Sequence, residues 1–156
     1  MLRLRQAHKA DCRLLWEWAN DPNVRASAFS SEPIPWEGHV KWFYQKLKDQ
    51  KCLIFIALNA CNTPVGQVRF DTTDQKEAKI DVSIQPQSRG SGYGQQMLRL
   101  AIEKLVALSP IRTIHAFIKP DNKASIGAFE KTGFKNTGPD TVKGHPALHY
   151  QYTVSR

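Results

Sequence analysis

Apolar side chains follow two different periods in the first third of the chain. Residues 2–7 alternate apolar with charged or polar side chains, which is typical of a strand with one buried face. Residues 10–20 and 37–48 carry apolar side chains three and four positions apart, the spacing of amphipathic helices. Residues 52–58 form an unbroken apolar run, which predicts a central strand. We therefore expect the order β-α-α-β here.

The remaining pattern favours strands with two helices among them. One helix follows a glycine-rich turn at residues 89–94, and a shorter helix covers residues 122–132 and ends at Gly133. The other strands are predicted at residues 65–70, 79–84, 111–118, 134–136 and 148–154. The complete order β-α-α-β-β-β-α-β-α-β-β predicts a mixed α/β fold with one strand–helix–strand crossover through the glycines.

Length and composition narrow the class of protein. A chain of 156 residues is enough for one domain, and we expect residues 1–156 to form a single unit. The sequence has no apolar run long enough for a signal peptide or a membrane span, and its three cysteines form no CxxC pair. These features predict a cytoplasmic protein without a membrane partner.

The net charge of +8 is unevenly distributed. Residues 1–81 hold 12 basic and 10 acidic side chains, whereas residues 82–156 hold 10 basic and 4 acidic ones. No run of five like charges occurs, so a nucleic-acid partner is not expected. The excess in the second half indicates a smaller anionic ligand.

The turn Arg89-Gly-Ser-Gly-Tyr-Gly94 lies between a predicted strand and a predicted helix. Glycines allow the backbone to approach a ligand closely, and the N–H groups of such a turn and of the helix N-terminus attract phosphates. The spacing fits neither a Rossmann fingerprint nor a Walker loop, because no acidic residue follows the helix and Gly94 precedes Gln95. A purely structural turn remains the alternative.

Two blocks of sequence together resemble the GNAT superfamily of acetyl-CoA-dependent N-acetyltransferases. Arg89, Gly92 and Gly94 fill the pattern [Q/R]-x-x-G-x-G, and residues 122–134 are similar to N-x-x-S-x-x-x-[YF]-E-K-x-G-F. The resemblance implies a GNAT fold over nearly the whole chain, with a mostly antiparallel central sheet flanked by helices. It also implies direct transfer of an acetyl group from acetyl-CoA to a primary amine.

The resemblance further implies a set of cofactor contacts. A strand edge would pair with the pantetheine arm, the glycine turn would hold the pyrophosphate, and the short helix would lie beside the CoA. The residues so implied are Val82, Ser83, Ile84, Arg89, Gly90, Ser91, Gly92, Tyr93, Gly94, Gln95, Asn122, Ser125, Phe129 and Lys131. Helix capping by Asn122 and Ser125 and a solvated Lys131 are the structural alternatives.

Two positions depart from the family pattern. Many relatives have a tyrosine at the position of Phe129, which supplies a proton to the leaving thiolate, and some have a glutamate at the position of Phe117. We therefore expect other polar groups near the acetyl group to act in catalysis, namely Asp81, Ser83 and His115. Asp81 as a surface residue and His115 as an edge histidine are the alternatives.

Aromatic residues are concentrated in the first 43 positions. The aromatic-rich segment from Leu14 to Phe43 is similar to GNAT enzymes that acetylate nucleotide-linked amino sugars, although parts of it also occur in protein-acetylating relatives. The implied acceptor contacts are Phe29, Trp36, Glu37, His39 and Arg69. A protein N-terminus as acceptor and a non-catalytic acyl-CoA-binding module remain open as alternative functions.

A homodimer is common among relatives. We expect no metal, because Pro146 prevents a helix that would bring His145 and His149, four positions apart, onto one face.

Overall fold

The structure is a computed structural model that describes residues 1–155. Its seven strands are β1 (Arg3–Gln6), β2 (Cys52–Leu58), β3 (Pro64–Asp74), β4 (Glu77–Ile84), β5 (Thr113–Ile118), β6 (Lys135–Val142) and β7 (His145–Thr153). Its five α-helices are α1 (Cys12–Ala19), α2 (Pro22–Ser27), α3 (Trp36–Lys48), α4 (Tyr93–Leu108) and α5 (Lys123–Thr132). The predicted mixed α/β class is confirmed, and the predicted order holds except that α2 is an additional helix.

All seven strands lie in one sheet with the order β1-β2-β3-β4-β5-β7-β6. Every neighbouring pair is antiparallel except β4 and β5, which are parallel. Helix α4 makes the crossover between these two strands, as parallel neighbours require. The predicted antiparallel sheet with a single crossover is therefore confirmed.

Two apolar cores cover opposite faces of the sheet. On one face, α4 and α5 bury Met97, Leu98 and Phe129 against the sheet. On the other face, α1 and α3 pack on β2, with Phe43 fully buried at the centre of that cluster. Because α1 and α3 pack mainly on the β2 side, the β4–β5–β7 part of that face carries polar and half-buried side chains instead.

The structure differs from the sequence-based expectation in the second helix. Proline at position 22 ends α1 as predicted, but it also occupies the first turn of α2, where a missing N–H is harmless. The side chain of Asp21 caps α2 by accepting hydrogen bonds from Asn23 N (3.1 Å) and Val24 N (3.2 Å). Strands β3 and β6 are also longer than predicted, because residues with little apolar character extend both hairpins. In the described part of the chain, no helix is long and apolar enough to cross a membrane.

Candidate active site

The parallel strands β4 and β5 separate part-way along their length. Their pairing covers Glu77, Ala78 and Lys79 of β4, which lie opposite residues 113–115. Strand β4 nevertheless continues to Ile84, held by β3 on its other edge. In residues 1–155 no strand pairs with the β5-facing edge of β4 beyond Lys79. We call this separation of β4 from β5 beyond Lys79 the fork. It exposes backbone groups of β4 to which an extended ligand can add as a strand.

The glycine turn lies after the end of β4 and leads into α4. Gly90 has φ +80° and Gly92 has φ +75°. Residues other than glycine adopt this left-handed backbone conformation only at a cost in free energy. No described atom lies within 4 Å of a β-carbon built on either glycine, so the turn faces open space. No side chain of residues 1–155 caps α4, and its first turn holds no acid. The turn thus fits a phosphate group, since uncapped N–H groups and the helix dipole both favour anions.

Arg89 is fixed beside this turn by an ion pair. Its Nη2 lies 2.8 Å from Oδ2 of Asp21, the residue that caps α2. The hydrogen bond from Arg89 lowers the pKa of the Asp21 carboxyl. The pair joins the glycine turn to the α2 segment. Because the Arg89 side chain is partly buried and already ion-paired, it is only partly available to a ligand.

Residues of α5 have mixed roles in the structure. Asn122 caps the helix, its Oδ1 accepting a hydrogen bond from the N–H of Ser125 at 3.3 Å. Phe129 is buried and packs edge-on against Phe134, with ring centroids 4.8 Å apart. Lys131 is exposed in the last turn of the helix. Asn122 therefore caps α5 through its Oδ1, and Phe129 packs in the core.

Two of the expected catalytic residues lie on the open face of β4. Asp81 and Ser83 alternate with the buried residues of the strand, and the Asp81 side chain is 55% exposed. Gln67 on β3 joins them, because its Nε2 donates to Asp81 Oδ2 (3.0 Å) and to Ser83 Oγ (3.1 Å). Sequence reasoning missed Gln67, whose only signal was its polar side chain within an apolar strand.

The third expected catalytic residue, His115, belongs to a chain of hydrogen bonds. Its Nε2–H donates to Glu77 Oε1 (2.7 Å), and its Nδ1 lies 2.8 Å from Nε2 of His149. The His149 ring also stacks on Phe117, with centroids 4.6 Å apart and planes at 6°. The sequence analysis did not select Glu77 or His149 for this site, because their proximity depends on the register of three strands.

The expected acceptor residues near α3 are partly exposed. Trp36 is 38% exposed and packs edge-on against Trp16, whose Nε1 donates to the carbonyl of Ile34. Glu37 is exposed in the first turn of α3, and Phe29 is half-buried in the preceding loop. These side chains line the segment between α2 and α3.

Two arginines that lie near Asp81 are already engaged by other groups. Arg69 pairs with Asp71 at 2.9 Å and lies over the Trp42 ring, and it approaches Asp81 at 4.0 Å. Arg25 donates to the backbone carbonyls of residues 19, 30 and 32. Both side chains hold the structure together, so neither is a free phosphate ligand.

Two lysines connect the α2 segment with the far side of the fork. Lys119, directly after β5, donates to the carbonyl of Ala26 at 2.8 Å. Lys143, in the turn between β6 and β7, donates to Ser30 Oγ at 3.1 Å. The end of α2 and the residues that follow it are therefore tied to the loop after β5 and to the β6–β7 turn.

His39 lies in the core and not on the acceptor face. It is 4% exposed, its Nε2–H donates to the carbonyl of Cys12 (2.9 Å), and its ring stacks on Phe43. Burial lowers the pKa of His39. The expected contact between His39 and the acceptor is therefore corrected: this histidine joins α1 to α3.

Acidification should destabilise the protein through His39. The unfolded chain takes up the proton near pH 6.5, whereas burial keeps the folded imidazole neutral to lower pH. The free energy of unfolding should therefore be lower at pH 5 than at pH 7.5. Urea unfolding at both pH values measures this loss. In His39→Gln the loss should be smaller, and an equal loss would contradict the assignment.

The sequence matches a known domain family over most of its length. Residues 1–135 match the family model described as "Acetyltransferase (GNAT) domain". The chain belongs to the GNAT acetyltransferase family. It is thus an acetyltransferase domain whose cofactor is acetyl-CoA, and the open glycine turn and the forked sheet fit that cofactor. The described residues contain no group of three or more His, Cys, Asp or Glu side chains able to hold a metal.

Curated relatives are similar over most of this chain. An uncharacterized protein of Methanocaldococcus jannaschii, MJ1062, is 26% identical over 136 residues, which are 86% of this chain but 28% of the relative. The putative phosphinothricin acetyltransferase YwnH of Bacillus subtilis is 28% identical over 113 residues, 69% of this chain and 68% of the relative. This GNAT chain therefore spans less than a third of the archaeal protein and about two thirds of the bacterial one.

A solved structure has the same fold. The aminoglycoside acetyltransferase AAC(6')-Ib in complex with coenzyme A superimposes with a TM-score of 0.83. The match covers 98% of this chain and 95% of that chain at 20% identity. At this identity the likeness establishes the shared GNAT fold and leaves the acceptor to be argued from the residues of the site.

Proposed function

We propose that this GNAT domain transfers the acetyl group of acetyl-CoA to a primary amine of a small molecule, in a ternary complex. The observation that carries the proposal is the fork between β4 and β5, which leads to an uncapped helix N-terminus with an open glycine turn. Acetyl-CoA supplies the activated thioester there. The chain supplies the surface that holds both substrates.

The free edge of β4 at residues 82–84 is proposed to pair with the pantetheine arm. The N–H groups of residues 90–95 would then receive the pyrophosphate, with Tyr93 at the first position of the helix. Lys131 is exposed on α5, which packs beside α4, and is proposed to meet the 3′-phosphate side of the cofactor. Most groups of this proposed site are backbone N–H groups, so it can bind phosphates without a cluster of arginines.

The acceptor is proposed to bind on the open face of β4. Asp81 offers a mostly exposed carboxylate at the fork, which attracts a cationic amine. Gln67 fixes Asp81 and Ser83 relative to each other, so the face has defined polar geometry. Asp81, Ser83 and His115 are the residues proposed to serve catalysis on this face, Asp81 and Ser83 beside the substrates and His115 in proton transfer.

We further propose that the acceptor is an amino sugar, linked to a nucleotide. The half-exposed Trp36 and Phe29 offer rings on which a sugar or base can stack, and Glu37 offers a hydrogen-bond acceptor. Arg25 and Arg69 are engaged elsewhere, whereas Lys119 and Lys143 each use one of three ammonium N–H groups on the α2 side, so acceptor phosphates would meet their remaining N–H groups.

Two experiments test the transferase in order. Calorimetry with acetyl-CoA should give a dissociation constant well below millimolar. If no binding is detected in that range, the proposed cofactor site is refuted. Thiol release is then measured with UDP-linked amino sugars, unlinked amino sugars, polyamines and N-terminal peptides. Fastest turnover with peptides would favour the alternative of a protein N-terminal acetyltransferase. Binding of acetyl-CoA without turnover of any amine would favour a non-catalytic module.

Replacement of Asp81 should weaken acceptor binding selectively. In Asp81→Asn the charge is lost but the shape is kept, so KM for the amine should rise about tenfold, the effect of losing roughly 1.4 kcal/mol. The affinity for acetyl-CoA should not change. Asp74→Asn, an exposed acid at the far end of β3, is the matched control and should leave both constants unchanged. An unchanged KM in Asp81→Asn would exclude this carboxylate from acceptor binding.

The remaining expectations stay proposals. We propose that residues 1–156 act as one GNAT domain, that the domain pairs as a homodimer, and that it works in the cytoplasm. Sedimentation at micromolar concentration tests the second of these.

A further inference from the structure

His149 lies on β7, next to the β5 arm of the fork. It is opposite Phe117 in the β5–β7 pairing, and Phe117 lies two positions beyond His115, the last residue of β5 that pairs with β4. The imidazole of His149 stacks on Phe117, the residue of β5 beside which β4 has separated. Asp81 projects from the open face of β4 by strand alternation.

The Glu77 carboxylate sets the direction of the hydrogen bonds in this chain. An ionised carboxylate only accepts, so His115 donates its Nε2–H to Glu77. When each imidazole carries one proton, Nδ1 of His115 is an acceptor, and His149 donates its Nε2–H to it across the 2.8 Å contact. The remaining ring nitrogen, His149 Nδ1, is left with a free lone pair. No hydrogen bond joins this nitrogen to any residue in the described part of the chain.

We propose that His149 is the proton acceptor for the amine and that Glu77 and His115 are its positioning residues. This inference rests on the proposed acetyl transfer. The ammonium ion that Asp81 attracts first loses one proton to Nδ1 of His149, which passes it to solvent. The lone pair so freed forms the new N–C bond, and the second N–H bond then breaks as an Nδ1–H bond forms again on His149. The thioester C–S bond breaks and the sulfur leaves with the bonding electron pair. The proton on His149 then passes to solvent.

The chain also stabilises the proton once it has been accepted. When Nδ1 of His149 is protonated, its Nε2 proton can shift to Nδ1 of His115, which places the positive charge next to Glu77. An orienting carboxylate of this kind holds the tautomer and stabilises the cation, as the aspartate does in serine-hydrolase triads.

The charges around His149 come from three strands. Burial lowers the pKa of His149, the neighbouring His115 on β5 lowers it further, and Asp140 on β6 opposes both. From β4, Glu77 acts through His115, and Lys79 lies over Phe117 at 5.5 Å. The net lowering of the pKa keeps the lone pair of His149 available at neutral pH.

The kinetic test uses His149→Gln, whose amide can still donate to His115 but cannot act as a base. We expect kcat to fall about 100-fold, the low end for general-base catalysis. In the wild type, kcat should decrease on acidification below pH 6.5, and this decrease should be absent in His149→Gln. Acetyl-CoA affinity should not change. His145→Gln, an exposed histidine on the same strand, is the matched control and should retain wild-type kcat. Wild-type kcat in His149→Gln would overturn the proposal while leaving the transferase intact.

A second test does not depend on turnover. Long-range ¹H–¹⁵N correlation spectra at pH 8 should show His115 and His149 both as Nε2–H tautomers. In Glu77→Gln, whose amide donates as well as accepts, the reversed tautomers should appear, together with a lower kcat and a shifted pH profile. An Nδ1–H tautomer of His149 in the wild-type protein would overturn the proposal even if no acceptor amine is turned over.

Discussion

Gly92→Glu should abolish acetyl-CoA binding while leaving the domain folded. Gly92 precedes α4 with φ +75°, and a side chain there would project into the open space in front of the helix. The new carboxylate would compete with the pyrophosphate for the same N–H groups and would repel it. We expect the dissociation constant to rise at least about 100-fold, or roughly 3 kcal/mol. Isothermal calorimetry measures this change.

The fold itself should tolerate this substitution. A negative charge at a helix N-terminus is favourable to the helix dipole, which offsets part of the strain of a positive φ, about 1–2 kcal/mol. Gly144→Glu is the matched control, because Gly144 has φ +78° and open space around it but lies in the β6–β7 turn. It should bind acetyl-CoA normally. Normal binding by Gly92→Glu would place the cofactor elsewhere.

The parts of this site that depend on local spacing were predictable from the sequence. The glycine turn and the helix capped by Asn122 are each contained within 13 residues or fewer, so their geometry follows from residues that are close along the chain. The expected turn, the crossover helix and the cap are all present. Helix α2 was missed because six residues carry no apolar period, although Asp21 and Pro22 are a recognised start signal.

The parts that depend on strand register were not predictable. Glu77 and His149 meet at His115 only because β5 is parallel to β4 and antiparallel to β7, and a shift of one residue would turn each side chain to the other face. The same holds for Gln67, which reaches Asp81 across an antiparallel pair. His39 had a usable signal, since it lies four positions before the buried Phe43 on the same helical face.

Gly66 has a role that only the sheet shows. It lies on β3 opposite Ile84, at the end of β4 where the strand edge is free. A β-carbon on Gly66 would lie 2.7 Å from the carbonyl oxygen of Ser83 and 2.7 Å from Cε of Met97. Met97 is fully buried, so its side chain has little room to move. The absence of a side chain at this position therefore allows β4 to lie close to β3 beside the fork.

Gly66→Ala should lower both stability and cofactor affinity. Overpacking of this kind destabilises a domain by about 1–3 kcal/mol, and relief by displacement of Ser83 would also disturb the backbone edge proposed to hold pantetheine. Gly38→Ala is the control: Gly38 lies in α3 with open space around it, and alanine there should stabilise the helix by about 0.5–1 kcal/mol. Urea unfolding and acetyl-CoA calorimetry on both variants measure the two effects. If Gly66→Ala loses stability but keeps full affinity, Met97 has moved instead of β4, and the free edge is less sensitive to its support than the geometry implies.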